Sequence, residues 1–293
     1  MAQFSIIVLT YNEEIHLPRL LNSVSEFNAP IYVLDSGSTD KTLDIAEDYG
    51  ALILVNEFRN HPLQWDFALK NFNINTSWTI GLDADQIVST QLKNKLNNLS
   101  QIEDDIQGIY FNRKNIFKGR WIRYGGYFPK YLLKMFRTGV GYSDLNEMMD
   151  HKFVVNGKTI VWEDGYLIEE NLKENDISFW INKHNRYSDL VALQEFNLLK
   201  QEKKAPAIKN LNANPDHKIK YYKSIWQQLP LFLRPFLYFL YRYFLRLGFL
   251  DGREGLIFHF MQALWFRFIV DIKIYQLTKN YKVIKKKHVH IGD

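Results

Sequence analysis

The sequence predicts an α/β fold, with a sheet of buried parallel strands in the first two thirds and amphipathic helices at the C-terminal end. Three observations lead there. Short apolar runs alternate with helical patterns over the first hundred residues, each run stops in a polar cluster, and the composition shifts sharply near Trp226. A chain of 293 residues with 46% apolar and 24% charged residues can bury a full core.

"FSIIVLTY" (Phe4–Tyr11) is a strand, followed by Asn-Glu-Glu and a helical spacing of Ile15, Leu17, Leu20, Leu21 and Val24. Ile31–Leu34 forms the second strand; its helix starts near Thr39–Asp40 and closes at Gly50. "ALILVNE" is the third strand, "PLQWDFALKNF" a helix and Trp78–Leu82 the fourth strand. Nearly continuous apolar strands imply a parallel sheet covered on both faces, and such sheets bind ligands at the carboxyl ends of their strands. Those ends carry Thr10–Glu13, Asp35–Asp40, Asn56–Arg59 and Asp83–Gln86.

Beyond about residue 105 the alternation breaks into strands joined by a long glycine-containing loop. "HKFVVNGKTIVWE" reads as a hairpin turning at Asn156-Gly157, and "DISFWINKHNRYSDLVALQEFNLLKQEKKA" as an amphipathic helix. The predicted organisation is a first domain over 1–205, a polar linker over 206–222, and basic amphipathic helices with a tail over 223–293.

Residues 206–293 hold 15 Lys and Arg against 5 Asp and Glu, net +10, while residues 1–205 hold 22 against 27, net −5, so the positive charge of the chain resides in the tail. Arg234, Arg242 and Arg246 interrupt the aromatic runs, and spacings of eight and four put them on one helix side. No uncharged run reaches the roughly 18–20 residues of a spanning helix. The pattern predicts an interfacial region, with arginines at lipid headgroups and Lys282 and Lys285–Lys287 strengthening attraction to anionic lipid. The alternative is a buried helical pair whose arginines reach solvent. The absence of cysteine excludes disulfides and thiolate chemistry, and a start without a signal-peptide pattern gives a cytoplasmic expectation.

Asp83 and Asp85 leave the fourth strand one residue apart, pointing the same way. Two close carboxylates repel unless a cation neutralises them, and oxygen ligands favour Mg²⁺ or Mn²⁺ shared with substrate phosphates. The alternative is that Asp85 caps a helix starting near Ser89.

"IIVLTYNEE", "VLDSGSTDKTLDIAEDYGA", "QWDFALKN" and "WTIGLDADQ", in this order, resemble the inverting glycosyltransferases of family 2, which have the GT-A nucleotide-sugar fold. The resemblance is to members that build lipopolysaccharide cores and exopolysaccharides. It continues through "FKGRWIRYGGYFPKYLLKMFR", "NEMMDHKFVVNGKT" and "INKHNRYSDLVA". It implies that Thr10, Tyr11, Asn12 and Glu13 form the first nucleotide loop, that Asp35 reads a uracil ring beside Ser36 and Ser38, and that Asp83 approaches the ribose. It implies a divalent metal at Asp85. Gln64 matches a polar position of the family, but Trp65 and Asp66 replace the Lys and Asn expected next.

Glu147 matches the catalytic base, with Asn146 in place of the usual histidine and Asp144 and Asp150 as rivals. Gly125 and Gly126 either let backbone approach the sugar or acceptor or make a turn. Lys183, His184, Arg186 and Tyr187 either meet a diphosphate or form a solvated helix face. The implied partners are a UDP-sugar donor, a lipid-linked glycan acceptor and the inner face of the cell membrane, to which the protein attaches peripherally. Whether the tail also forms a homo-oligomer is left open. A nucleotidyltransferase would want a glycine-rich basic loop after the first strand, which "TYNEEIHLPR" lacks. A nucleic-acid-binding tail would leave its interleaved apolar surface wet.

Overall fold

The structure, a computed structural model, describes residues 3–146, 151–200 and 215–289. The chain forms two compact units, one of Met1–Arg123 with Tyr127–Asn175, the other of Tyr124–Gly126 with Asp176–Asp293. The long helix expected in the first domain thus belongs to the second unit. Of the expected linker, 206–214 lies outside the described residues, and a helix begins at Pro215.

In the first unit the order is β1 (Phe4–Thr10), α1 (Leu17–Val24), β2 (Ile31–Asp35), α2 (Thr42–Asp48), β3 (Leu52–Val55), α3 (His61–Asn71), β4 (Trp78–Asp83), β5 (Gln86–Val88) and α4 (Thr90–Leu96). Then come β6 (Ile106–Phe117), β7 (Arg120–Trp121), β8 (Tyr131–Arg137), β9 (Tyr142–Ser143), β10 (Phe153–Val154) and β11 (Lys158–Glu169). The main sheet runs β3-β2-β1-β4-β8-β6-β11-β5, with β7 paired to β6. Strands β1 to β4 are mutually parallel, whereas β8 is antiparallel to both β4 and β6. The sheet is therefore mixed beyond β4.

Local sequence explains these elements. Leu17, Leu20, Leu21 and Val24 line one face of α1, and all four are buried under the sheet. Each such burial contributes about 1.5–3 kcal/mol. Ile15, the first residue of the apolar spacing, is outside the helix and exposed. Asn60 caps α3 by accepting the Leu63 N–H at 2.9 Å, and Asp40 receives the Thr42 N–H at 3.0 Å where α2 starts.

The expected hairpin at Asn156-Gly157 does not form. β10 pairs with β9, and β11 runs parallel to β6. The non-local pairing stacks Trp162 on Phe111 with centroids 5.4 Å apart and buries Leu167 in the main core, apolar burial that a hairpin with the two-residue β10 does not offer. A bulge between Trp162 and Tyr166 contains Gly165, at φ +82°. A Cβ there would lie 2.8 Å from the Leu92 backbone, so only glycine lets α4 pack this close.

The second unit contains α5 (Ile177–Lys200), α6 (Pro215–Gln228), α7 (Arg234–Leu240), α8 (Gly252–His259) and α9 (Phe266–Val289). π-helical turns at Tyr241–Leu245 and Phe260–Trp265 follow α7 and α8. The helical run Gly248–Tyr281 is long and apolar enough to cross a membrane by length and composition, though a large share of its most apolar window is buried inside the structure.

Here the arginine expectation is overturned for Arg234 and Arg242, while Arg246 is exposed. Arg234 is 2% exposed, pairs with Asp271, and bonds Glu195 at 2.7 Å. Arg242 is also buried, donating to the Gly125 carbonyl at 2.7 Å and to the Tyr238 hydroxyl at 2.6 Å. Neither guanidinium faces headgroups or water, because each finds inside the unit the acceptors that satisfy its planar fork. Leu237, Leu240, Phe244, Leu245, Ile257 and Phe260 instead face outward.

Candidate functional site

The carboxyl ends of β1, β2 and β3 are cross-linked by side chains that the sequence singles out. Asp35, at the end of β2, is fully buried. Its Oδ1 accepts the Gly37 and Ser38 N–H groups at 2.8 and 2.7 Å, and its Oδ2 accepts the Thr10 and Ser38 hydroxyls at 2.8 and 2.5 Å. Four donors fill the acceptor capacity of a carboxylate. The expectation that Asp35 reads a base directly thus meets a side chain already committed to folding the loop. Ser36 donates its N–H to the Thr10 carbonyl, and its hydroxyl accepts the Gln64 amide at 3.0 Å.

Gln64 is buried as well. Its Nε2 also donates to the Asn56 carbonyl at 3.0 Å, and its Oε1 accepts from the Asn56 amide at 2.8 Å. One glutamine thereby ties the loops after β2 and β3. Asn12 sits in the left-handed region at φ 54°, which its short polar side chain tolerates. Its N–H donates to Ser38 Oγ at 2.8 Å and its Oδ1 accepts the Thr39 N–H at 2.8 Å. Tyr11, by contrast, holds its ring 57% exposed beside these ordered loops, a free stacking face.

At the end of β4 the two aspartates diverge. Asp83 Oδ2 accepts from Lys134 Nζ at 2.7 Å and from Gln86 Nε2 at 2.8 Å. Burial alone would raise the Asp83 carboxyl, but the Lys134 ammonium outweighs it, with smaller help from His151 and His61, and holds it well below the usual carboxylate range. Gln86 also bonds Glu169 at 2.9 Å, and Glu169 pairs with Arg113 at 2.6 Å, so a continuous polar chain runs from β4 through β5 to β11 and β6. Close by, burial pushes the His151 imidazole down to about 3, and the Lys134 charge adds to this. The ring packs on Trp65 and Phe153, with centroids 5.1 and 5.0 Å away.

Asp85 does not cap α4. That position belongs to Ser89, whose Oγ accepts the Leu92 N–H. The Asp85 carbonyl accepts the Glu170 N–H at 3.0 Å, and its Oδ2 accepts the Asn171 amide at 3.1 Å. The Asn171 Oδ1 is buried with no hydrogen-bond partner. A buried, unsatisfied acceptor next to a carboxylate suits a cation, which would take both oxygens as ligands. Among the described residues no group of three or more His, Asp or Glu converges to hold a metal, at Asp85 or anywhere else, so an ion held by Asp85 and Asn171 would have to complete its shell with substrate oxygens and water.

Glu147 and Asp150 lie outside the described residues. Asp144 Oδ1 accepts the backbone and side-chain N–H groups of Asn146, at 3.0 and 2.9 Å. Six further candidates belong to the second unit. A Cβ on Gly125 would fall 2.1 Å from the His259 ring, and the Gly125 N–H donates to the Arg246 carbonyl at 2.8 Å. The close approach that requires glycine is thus that of a histidine rather than a sugar; a Cβ on Gly126 would make only an ordinary van der Waals contact with Arg246, at 3.6 Å. His184 is buried, stacked on Trp180 at 3.6 Å with Nδ1 at 3.0 Å from the Trp180 carbonyl, a packing role within α5. Arg186 is exposed on the same helix, and Lys183 lies over the Tyr187 ring at 5.7 Å.

Sequence reasoning missed Lys134, Gln86, Glu169, Arg113, Asn171 and His16. Lys134 left a visible signal, a lysine inside the apolar strand "YLLKMFR", which is tolerated only beside a partner charge.

This arrangement has relatives. Over 272 residues the chain is 27% identical to the lipopolysaccharide core biosynthesis glycosyltransferase LpsC of Rhizobium meliloti, covering 88% of this chain and 90% of that one. It is 32% identical over 96 residues to an uncharacterized glycosyltransferase, RT0209, of Rickettsia typhi, covering 33% of this chain and 32% of the relative, so the match spans about a third of that protein's length. The solved mannosyltransferase PcManGT from Pyrobaculum calidifontis superposes with a TM-score of 0.51 at 14% identity, covering 93% of this chain and 87% of that one, and shares the GT-A fold. The glycosyl transferase family 2 model matches residues 5–154, about half of the chain, and the protein therefore belongs to glycosyl transferase family 2.

Proposed function

We propose that this glycosyltransferase is metal-dependent and inverting, and that it moves a sugar from a UDP-sugar to a hydroxyl of a lipid-linked glycan in lipopolysaccharide or other cell-surface polysaccharide synthesis. The observation that carries it is the orphaned Asn171 oxygen beside Asp85, at the sheet edge where the β1 and β2 loops are already ordered. Mn²⁺ or Mg²⁺ would be held by Asp85 and Asn171, and when bound would supply positive charge opposite the diphosphate.

The chain's own residues would do the rest. Tyr11 offers its exposed ring to the base, over loops that Asp35 and Gln64 hold rigid. Asp83, kept ionised by Lys134, offers acceptors to ribose hydroxyls. Glu147 takes the proton of the acceptor hydroxyl as it attacks the anomeric carbon opposite the departing nucleotide, and one displacement inverts that centre. The name of the R. meliloti relative supports a lipopolysaccharide acceptor.

Asp85→Ala is expected to abolish Mn²⁺-dependent tightening of UDP, measured by titration calorimetry, together with turnover of UDP-sugars. Full activity in that variant, or no binding of UDP, GDP or dTDP sugars by the wild type, overturns the proposal.

The second unit is proposed to seat the enzyme on the inner face of the cell membrane. With Arg234 and Arg242 turned inward and Leu240, Phe244 and Leu245 outward, the surface of α7 and the turn after it is apolar, and a basic tail follows in sequence. Phe244→Ser with Leu245→Ser is expected to lower flotation with anionic liposomes by about tenfold or more, since a buried Phe or Leu is worth about 1.5–3 kcal/mol. Unchanged flotation refutes the assignment.

A further inference from the structure

His16 takes no part in the reading above, yet it is 0% exposed and uses both ring nitrogens. Leu172 donates its N–H to His16 Nε2 at 2.8 Å, so Nε2 bears the lone pair and Nδ1 the hydrogen, which is donated to Glu13 Oε2 at 2.5 Å. One ring thus joins the nucleotide loop after β1 to the short segment that follows β11.

That segment is dense with links. The Glu170 N–H and the Asn171 amide hold Asp85, and Glu170 pairs with Arg19 of α1. Lys173 bonds the Asn12 carbonyl and pairs with Glu13 Oε1 at 3.1 Å. Glu13 in turn is anchored by its own N–H on Thr42 Oγ1 at 2.7 Å. Three consecutive residues, Glu170 to Leu172, therefore contact Asp85 on one side and His16 on the other.

We propose that His16 is a positioning residue that locks the Asn12–Glu13 loop and the Glu170–Lys173 segment in one register, setting the nucleotide side and the metal side of the donor site together. This rests on the reading that Asp85 with Asn171 holds the ion and the β1 loop the nucleoside. His16 touches neither ligand; its effect on both passes through Glu13 and Leu172. A packing histidine would need neither bond to be directional.

The test uses the full chain, with two affinities measured separately: Mn²⁺ alone by electron paramagnetic resonance, and UDP alone, in chelator, by calorimetry. His16→Ala is expected to weaken each by about tenfold, the scale of one lost charge-assisted or buried hydrogen bond. His16→Gln, whose amide oxygen can accept from Leu172, should restore Mn²⁺ binding more than UDP binding. His16→Asn, whose amide can donate to Glu13, should do the reverse. Lys173→Met, at a partly exposed position, should weaken UDP binding without loss of fold and serves if the His16 variants are unstable.

The crossed rescue supports the proposal. Equal losses in all His16 variants that follow their melting temperatures, or wild-type affinities in Lys173→Met, overturn it while leaving the donor site intact. A wild-type protein that binds neither Mn²⁺ nor UDP overturns the underlying reading, and this proposal with it.

Discussion

Glu147→Gln is expected to bind UDP as the wild type does and to turn over about two to four orders of magnitude more slowly, the scale of losing a general base. Gln keeps the shape and hydrogen-bonding reach of Glu but cannot take a proton. The reaction needs one carboxylate on the acceptor side, and the sequence provides three within Asp144–Asp150. Asp144 is the least suited. Its Oδ1 is already engaged by two N–H groups from Asn146, and its own N–H donates to the Lys152 carbonyl at 2.9 Å, so the side chain is committed to its turn. Asp144→Asn should therefore loosen the turn and lower activity less than Glu147→Gln. Single-turnover rates beside UDP affinity separate the cases. Normal turnover in Glu147→Gln moves the base to Asp144 or Asp150.

The strands and helices of residues 4–83 are legible because each is specified locally. Phe4–Thr10 is a largely apolar run rich in β-branched residues, and Leu17, Leu20, Leu21 and Val24 recur at helical spacing after it. The clustering of the Thr10, Asp35 and Asp83 segments also follows from strand alternation, since parallel strands deliver their carboxyl ends to one edge. What stays hidden depends on partners distant in sequence. β11 prefers β6 to a nearby hairpin because Trp162 finds Phe111, more than fifty positions earlier. Asp35 looks like a ligand-reading carboxylate until Gly37, Ser38 and Thr10 are seen to saturate it. Asn171 and His16 carry no motif; only the fold brings Glu170–Lys173 against both Asp85 and Glu13.

Arg234→Met is expected to destabilise the second unit by about 3–5 kcal/mol, the cost of leaving a buried charge without its partner. Asp271 on α9 is 0% exposed, and its carboxylate accepts the Phe232 N–H and the Arg234 Nε–H, each at 2.8 Å. Burial works against the Arg234 charge, but Asp271 and Glu195 outweigh it and hold the guanidinium above its ordinary range. The same guanidinium lies 4.6 Å over the Trp226 ring, so its loss also removes a cation–π contact. Adding Asp271→Leu should recover much of the loss, because removing both charges spares the desolvation penalty of the survivor. Denaturant unfolding of wild type, single and double variants closes the cycle, with the midpoint falling in the single variant and returning in the double. A headgroup-facing arginine, as the eight-and-four spacing alone predicts, would cost less than about 1 kcal/mol when replaced, the usual value of an exposed pair. The size of the Arg234→Met effect therefore decides whether the outward face of α7 is carried by its leucines and phenylalanines or by its basic residues.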